Sequence, residues 1–244
     1  MSQTATAARE PLLRIAKREG TTMPQKIAVR AIAILLALVV DALFIFFVTG
    51  LNPLSVYGVM WSGTFANMTR FSWMLRDLST LLCVGIALAP AFKMRFWNIG
   101  GEGQFILGAI AAAAVAFQAG PVLPEPITLI LMCLAAMLAA GLYGVVTAVF
   151  KVKFGTSETL LTLMLNYVAL YFITFLGETK AAWNFFLEPS SARPIFTSFS
   201  KLVSFPSIMI GKFGLNICVI LAFVIGALVF FYLKYTKHGY EIAV

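Results

Sequence analysis

Residues 127–150 read ITLILMCLAAMLAAGLYGVVTAVF, a run of 24 residues without a charged side chain. A helix rises about 1.5 Å per residue, so about 20 apolar residues cross the hydrocarbon core of a bilayer. Pro126 precedes the run, and Lys151 and Lys153 follow it. The run therefore predicts a helix that spans a membrane.

The composition of the 244-residue chain agrees with this prediction. Apolar residues make up 61% of the chain and charged residues 11%, whereas a soluble domain is about 25% charged. So few charges exclude an ordinary soluble enzyme. The 18 Lys and Arg residues exceed the 10 Asp and Glu residues. Because they lie between apolar runs, this excess bears on membrane orientation and not on nucleic-acid binding.

Further apolar runs predict spans at residues 27–49, 78–92, 105–119, 160–176 and 216–233. Residues 52–77 predict a loop with an interfacial helix, and residues 177–215 predict a long, partly ordered loop that does not span. The predicted fold class is therefore all-α. We expect a polytopic integral membrane protein with about six transmembrane helices, formed by residues 27–244 as one transmembrane domain.

Glycines interrupt the apolar sequence between the runs at 78–92 and 105–119. Both runs are short, and Gly100, Gly101 and Gly103 stand between them. Short segments interrupted by glycine are typical of broken helices around a transport path. We therefore expect a glycine-broken segment at this point.

Basic residues predict the orientation of the chain. The six at the amino end are Arg9, Arg14, Lys17, Arg18, Lys26 and Arg30. Since Lys and Arg near span ends favour the cytoplasmic side, residues 1–26 are expected to form a basic cytoplasmic arm. With six crossings, Lys93, Arg95, Lys151, Lys153, Lys234 and Lys237 also fall on the cytoplasmic side.

Motifs for catalysis and metal binding are missing from the sequence. The three cysteines lie within apolar runs, and His238 is the single histidine, so a zinc or haem site lacks ligands. There is no G-x-x-x-x-G-K-[ST] phosphate loop, no H-E-x-x-H and no G-x-S-x-G with a histidine partner. We therefore expect no enzyme activity, no catalytic residue, no metal and no cofactor on this chain.

Asp41 is an acid within the first predicted span. A carboxylate at the centre of a span costs about 2.5 to 3.5 kcal/mol on insertion scales. Such a residue either pairs with another polar group in the helix bundle or takes part in a proton or ion relay. Both interpretations stay open at this point.

Residues 96–104 read FWNIGGEGQ and concentrate polar groups between two apolar runs. Glycine permits turns and close backbone approach, while Asn98, Glu102 and Gln104 offer hydrogen-bonding groups. Irregular backbone at membrane depth is tolerated only against protein or a water-filled cavity. The segment therefore either lines a translocation path or forms an ordinary cytoplasmic turn.

Residues 156–167 read TSETLLTLMLNY and form a second polar cluster. Thr156 or Ser157 suits the helix N-cap. Thr159, Thr162 and Asn166 then form a narrow polar stripe that must face protein or water. Interhelical hydrogen bonding explains the stripe as well as a path does. Tyr167, with Tyr171 one turn later, either stacks on a ring-shaped substrate or packs at an interface.

These two clusters resemble the signatures of the inner-membrane permease subunits of bacterial ABC importers. The relevant branch of this branched-chain amino acid and ribose-type permease family transports nucleosides and simple sugars. Residues 96–104 are similar to its FNIG-x-EGQ run, and residues 157–167 resemble its NEV-x-x-T-x-MLNY run. Gly101, Ser157 and Thr159 depart from the family pattern and leave the substrate open. The resemblance continues to residues 237–242, and the chain is expected to be incomplete at its carboxyl end.

The resemblance implies a function and a set of partners. The family pairs two permease subunits in the bilayer of the bacterial cell membrane, with an extracytoplasmic substrate-binding lipoprotein and a separate ATPase subunit that binds ATP. It also implies that Asn98, Glu102, Gln104, Thr162, Asn166 and Tyr167 line or support the substrate path. Two alternatives stay open: a secondary transporter with Asp41 and Glu102 as titrating groups, and a non-transporting membrane scaffold.

Overall fold

A computed structural model describes residues 22–199, 203–211 and 213–243. Its elements are α1 (Met23–Thr49), α2 (Pro53–Phe65), α3 (Met68–Lys93), α4 (Gly101–Ala119), α5 (Glu125–Phe154), α6 (Glu158–Glu178), β1 (Ser207–Ile210), β2 (Phe213–Asn216), α7 (Ile217–Tyr235) and α8 (Lys237–Ala243). All of them except α2, α8 and the two strands are long and apolar enough to span a membrane. The expected all-α fold with six spans is thereby confirmed, while residues 1–21 of the predicted arm lie outside the described residues.

Helix α3 corrects the sequence interpretation of residues 52–77. Residues 68–77 belong to this spanning helix, which is 26 residues long, whereas they were expected to lie in a loop with an interfacial helix. Arg70, Arg76 and Asp77 lower the hydropathy here, but charged side chains are tolerated near the end of a span. Asn67 begins the helix, since its side-chain oxygen accepts a hydrogen bond from the backbone N–H of Arg70 at 2.9 Å.

Short half-helices were also expected on either side of the glycines, and the structure differs. Helices α3 and α4 are each long enough to cross a bilayer. The break in helical structure lies at residues 94–100, where Arg95 adopts a positive φ of 57°. Pro90 does not interrupt α3, which continues to Lys93.

Contacts divide the chain at Gly63 into two compact units. In the second unit, α4 packs against α5 and α6, and α3 packs against α7 and β2. A Cβ on Gly108 would lie 3.2 Å from the carbonyl oxygen of Ala136 on α5, so small residues bring these helices together. The loop expected at 177–215 contains the antiparallel hairpin of β1 and β2, in which Ser207 pairs with Asn216.

In the spans, large apolar side chains are exposed and small or polar side chains are buried, which is the reverse of a soluble protein. Large side chains such as Phe47 and Val152 are exposed, at 77% and 89%. The buried positions of the described spans include small or polar residues: Ser79, Ala116, Thr128, Thr147, Thr162, Asn166, Ala169 and Ala222. An apolar exterior around small and polar helix contacts is typical of a bundle in lipid. The chain is a multi-pass membrane protein.

Candidate functional site

The two polar clusters of the sequence meet where the connection at residues 94–100 passes α6. The backbone N–H of Ile99 donates to Oγ1 of Thr162 at 3.1 Å. The amide nitrogen of Asn166 donates to the carbonyl oxygen of Ile99 at 2.8 Å. Both backbone groups of Ile99 are therefore held by α6. We call residues 98–103 with Thr162 and Asn166 the α4–α6 joint.

Helix α4 receives its cap from a neighbouring helix. Its N-cap residue is Gly100, which has no side chain to accept the free N–H groups of the first turn. Oδ1 of Asn166 accepts a hydrogen bond from the backbone N–H of Gly103 at 2.7 Å, and Oδ1 of Asn98 accepts one from Gly100 at 2.9 Å. Because free N–H groups at a helix start need such partners, the sequence of α6 helps to determine where α4 begins.

The glycines of the joint permit close approach, and none of the three adopts a positive φ. A Cβ on Gly103 would lie 2.8 Å from Oδ1 and 3.1 Å from Cα of Asn166. A Cβ on Gly100 would lie 3.0 Å from Cβ of Thr162. Gly100 itself has a φ of −80°, and Gly101, against Leu88, and Gly103 lie within α4. Of the two roles expected for these glycines, a turn and close backbone approach, the contacts therefore show close approach.

Other residues of the predicted site are accessible. Glu102 is exposed, and Tyr167, the residue after Asn166, is 52% exposed. The side chain of Gln104 points toward α5, where a Cβ on Gly144 would lie 3.0 Å from its Nε2. The polar residues thus separate into a buried set of Asn98, Thr162 and Asn166 and an accessible set of Glu102 and Tyr167.

An ion pair beside the joint was not singled out from the sequence. Nζ of Lys151 lies 2.8 Å from Oε1 of Glu158, and it lies 5.0 Å from the ring centroid of Phe96. Gly155, with a φ of 65°, ends α5 between the two charged residues. The sequence does contain a signal for this ion pair. A lysine stands in the last turn of one helix and an acid in the first turn of the next, where each charge is favoured by the helix dipole. The pair connects α5, α6 and the connection before α4.

We predict a modest loss of stability for Lys151→Met. The pair is partly shielded, since the two side chains are 38% and 16% exposed, so its removal should cost about 1 kcal/mol. Thermal unfolding of the purified protein in detergent measures the effect. Lys153→Met is the control, because Lys153 lies on the same helix end and is exposed; equal shifts for both variants would contradict a specific role for the pair.

Asp41 lies in the first unit and is hydrogen-bonded there. The hydroxyl of Tyr57 on α2 donates to Oδ2 of Asp41 at 3.1 Å and to the carbonyl oxygen of Leu38 at 2.7 Å. This bifurcated contact joins α1 and α2. A hydrogen-bonded carboxylate of this kind agrees with the packing interpretation of Asp41, which stays a prediction.

The chain matches one family profile and several relatives named as ABC transporter permeases. The profile of the family "branched-chain amino acid transport system / permease component" matches residues 70–244. A guanosine ABC transporter permease protein of Bacillus subtilis is 34% identical over 147 residues, 59% of this chain and 41% of its own length. A nucleoside ABC transporter permease protein of Lactococcus lactis is 27% identical over 222 residues, 89% of this chain and 60% of its own length.

A glucose ABC transporter permease protein of Haloferax volcanii is 33% identical over 118 residues, which cover 48% of this chain and 30% of that protein. No solved structure gives a significant match. The chain spans 41% to 60% of the length of the first two relatives. The matched family region includes the α4–α6 joint, α3 from Arg70 onward and all later spans. By this match, the chain belongs to the family of branched-chain amino acid transport system permease components.

Proposed function

We propose that this chain is a transmembrane permease subunit of an ATP-driven importer and forms part of the path for a nucleoside or a simple sugar. The observation that carries the proposal is the family match over residues 70–244. Two of the three relatives described above are named for nucleosides, so nucleosides are the first substrate class to test. ATP is hydrolysed by a separate subunit, in keeping with the absence of a phosphate loop from this sequence.

Within this function, the accessible residues Glu102 and Tyr167 face the substrate path. A tyrosine ring offers a surface on which a nucleobase stacks, and a carboxylate accepts hydrogen bonds from base or sugar. The buried residues of the joint do not contact the substrate but hold the helices that line the path, because their side chains bind backbone groups. These residues are Asn98, Thr162 and Asn166. Gln104 supports it through its contact with α5.

The joint also makes α4 and α6 a unit that can move as one body during transport. It fastens α4 to α6 by three hydrogen bonds between these elements and the connection. Helices connected in this way move together when ATP hydrolysis changes the access of the path from one side to the other. A rigid pair of helices therefore transmits the motion along its whole length.

The proposed partners are a cytoplasmic ATPase subunit, a second permease subunit and an extracytoplasmic substrate-binding lipoprotein, in the bilayer of a bacterial cell membrane. The amino terminus is cytoplasmic in this proposal. The ends of α3, α5 and α7 carry Lys93, Lys151, Lys153 and Lys234, and these ends share the cytoplasmic side if the amino terminus lies there. The joint then lies near the cytoplasm.

Uptake of labelled guanosine and ribose by cells with and without the intact gene tests the function. We expect guanosine uptake that is lost on deletion of the gene and on depletion of ATP. Uptake that persists without ATP but collapses with the proton gradient would support the secondary transporter instead. Loss of ribose uptake alone would change the substrate class and keep the importer.

Tyr167→Ala is expected to reduce uptake several-fold at normal membrane expression, because stacking on an aromatic ring contributes about 1–3 kcal/mol per base. Tyr235→Ala is the matched control: Tyr235 lies on α7 and is 66% exposed. Unchanged uptake by Tyr167→Ala would remove this residue from the path.

A further inference from the structure

A cavity of about 870 Å³ lies at the opposite end of α4 and α6 from the joint. Its walls come from the last turn of α4, from Pro121 and from residues 180–198 after α6. Cavities of about 300–1,000 Å³ hold small-molecule ligands in many proteins. We call it the Thr197 cavity, after a lining residue discussed below.

The wall after α6 is held in place by hydrogen bonds. The amide nitrogen of Asn184 donates to the carbonyl oxygens of Leu176 and Thr179, and its Oδ1 accepts from the N–H of Phe186. The N–H of Thr197 donates to the carbonyl oxygen of Phe186 at 2.8 Å. Since these bonds connect the segment to itself and to the end of α6, the cavity has a preformed wall.

Aromatic side chains connect this wall to α4. The ring of Phe117 stacks on Phe199 with a centroid distance of 4.9 Å and an interplanar angle of 2°, and it meets the edge of Phe186 at 6.1 Å. Phe117 and Phe185 both line the cavity, and Phe185 is 41% exposed. The cavity therefore offers aromatic surface to a flat ring.

One polar group in the lining has no partner of its own. Oγ1 of Thr197 is buried and makes no hydrogen bond. Among the described residues, Oγ1 of Thr156 is the one other buried side-chain atom without a hydrogen-bond partner. A buried hydroxyl without a partner costs about 1–3 kcal/mol. Thr197 lines the cavity, and rotation of its side chain toward a ligand that hydrogen-bonds the hydroxyl recovers this free energy, so the cavity favours a solute with hydroxyl or amino groups.

The charges of the lining favour a neutral solute. Lys180 and Glu188 both line the cavity, and their charges are opposite. Nζ of Lys180 donates to the carbonyl oxygen of Ser191, and Oε1 of Glu188 accepts from the hydroxyl of Ser190 at 2.8 Å. Because the lining holds one positive and one negative side chain, it carries no net charge from this pair and does not favour a charged ligand such as a nucleotide.

We propose that the Thr197 cavity is a loading site that binds a nucleoside before it enters the path. The aromatic rings take the base, and Thr197 hydrogen-bonds a polar group of the nucleoside. This inference rests on the proposed function, in whose orientation the cavity lies on the outer side. Helix α4 has 19 residues, so the cavity and the joint are about 27 Å apart along it.

Protection of an introduced cysteine tests binding directly. Cys83, Cys133 and Cys218 are replaced by serine, and Ala182→Cys is placed in the cavity lining. Right-side-out vesicles carrying the complete importer are treated with a membrane-impermeant maleimide. Guanosine at ten times its dissociation constant should slow the reaction about tenfold, because about one site in eleven stays free. Ala192→Cys, exposed and outside the lining, is the control.

The outcomes separate the loading site from the proposed function. Protection of Ala182→Cys by guanosine, without protection of Ala192→Cys, supports the loading site. Reaction of Ala182→Cys at the same rate with and without guanosine overturns it, even where uptake persists. Protection in vesicles from cells that show no uptake would keep the loading site and overturn the proposed function.

A second measurement tests the role of the hydroxyl. Thr197→Val removes the hydroxyl and keeps the shape of the side chain, so we expect the KM for guanosine uptake to rise about 5- to 10-fold, as loss of one hydrogen bond implies. Thr197→Ser should keep a KM near the original value. Thr174→Val, on an exposed position of α6, is the control. Thr197→Val should be at least as stable as the original protein, since it removes a buried hydroxyl without a partner, and an unchanged KM for this variant would overturn the role of Thr197.

Discussion

Gly103→Ala is expected to destabilise the protein by about 3 kcal/mol, since overpacking a closed contact typically costs about 1–3 kcal/mol and a hydrogen bond is lost as well. The added Cβ would lie 2.8 Å from Oδ1 of Asn166, 3.1 Å from its Cα and 3.3 Å from the carbonyl oxygen of Leu165. Two of these atoms are backbone, so rotation of the Asn166 side chain cannot relieve the contact. Helices α4 and α6 must separate, which also breaks the hydrogen bond between Gly103 and Asn166.

Thermal unfolding of the detergent-purified protein measures this effect. Gly141→Ala is the matched control, because Gly141 lies within α5 and a Cβ there meets nothing within 4 Å. Alanine favours a helix over glycine by about 0.5–1 kcal/mol, so the control should keep or raise the melting temperature. A Gly103→Ala protein as stable as Gly141→Ala would show that the two helices do not meet as closely as described.

Asn166→Ala is expected to cost about 2–4 kcal/mol, because it leaves two backbone groups without their partners. The carbonyl oxygen of Ile99 loses its donor, and the N–H of Gly103 loses the acceptor that caps α4. Asn166 is only 7% exposed, so water does not readily replace it. The yield of folded protein should fall together with the melting temperature, and uptake should fall for that reason.

Met164→Ala is the control for this variant, because Met164 lies on the same helix and is 55% exposed. It should change stability by less than about 0.5 kcal/mol. The double variant Gly103→Ala with Asn166→Ala adds a second test. Since both residues act on one contact, the stability lost by the double variant should be smaller than the sum of the losses of the two single variants. Fully additive losses would contradict a single joint.

Hydropathy located the spans because a bilayer imposes a length on any helix that crosses it. The run at 127–150 lies within α5, and the other apolar runs fall on the remaining spans. The start of α3 was missed for a physical reason. Arg70, Arg76 and Asp77 resemble loop residues in composition, although a helix end at a membrane surface accommodates them.

The role of the glycine cluster could not be predicted from the local sequence. Glycine suits both turns and close helix contacts, and the choice at Gly100 and Gly103 depends on what lies opposite. The opposing residues, Thr162 and Asn166, are more than sixty positions away, as the hydrogen bond from Gly103 to Asn166 spans 63 residues. No periodicity within either segment encodes that distance.

The sequence alone determines the membrane location, the all-α class, the number of spans and the position of each polar cluster. It does so because bilayer thickness and hydropathy act on short stretches of chain. The folded arrangement determines which polar residues are buried and which are accessible. Asn166 and Tyr167 are neighbours in sequence, yet one caps α4 and the other is exposed. Successive residues on a helix point about 100° apart, and only the packing of α4 against α6 selects the face that is covered.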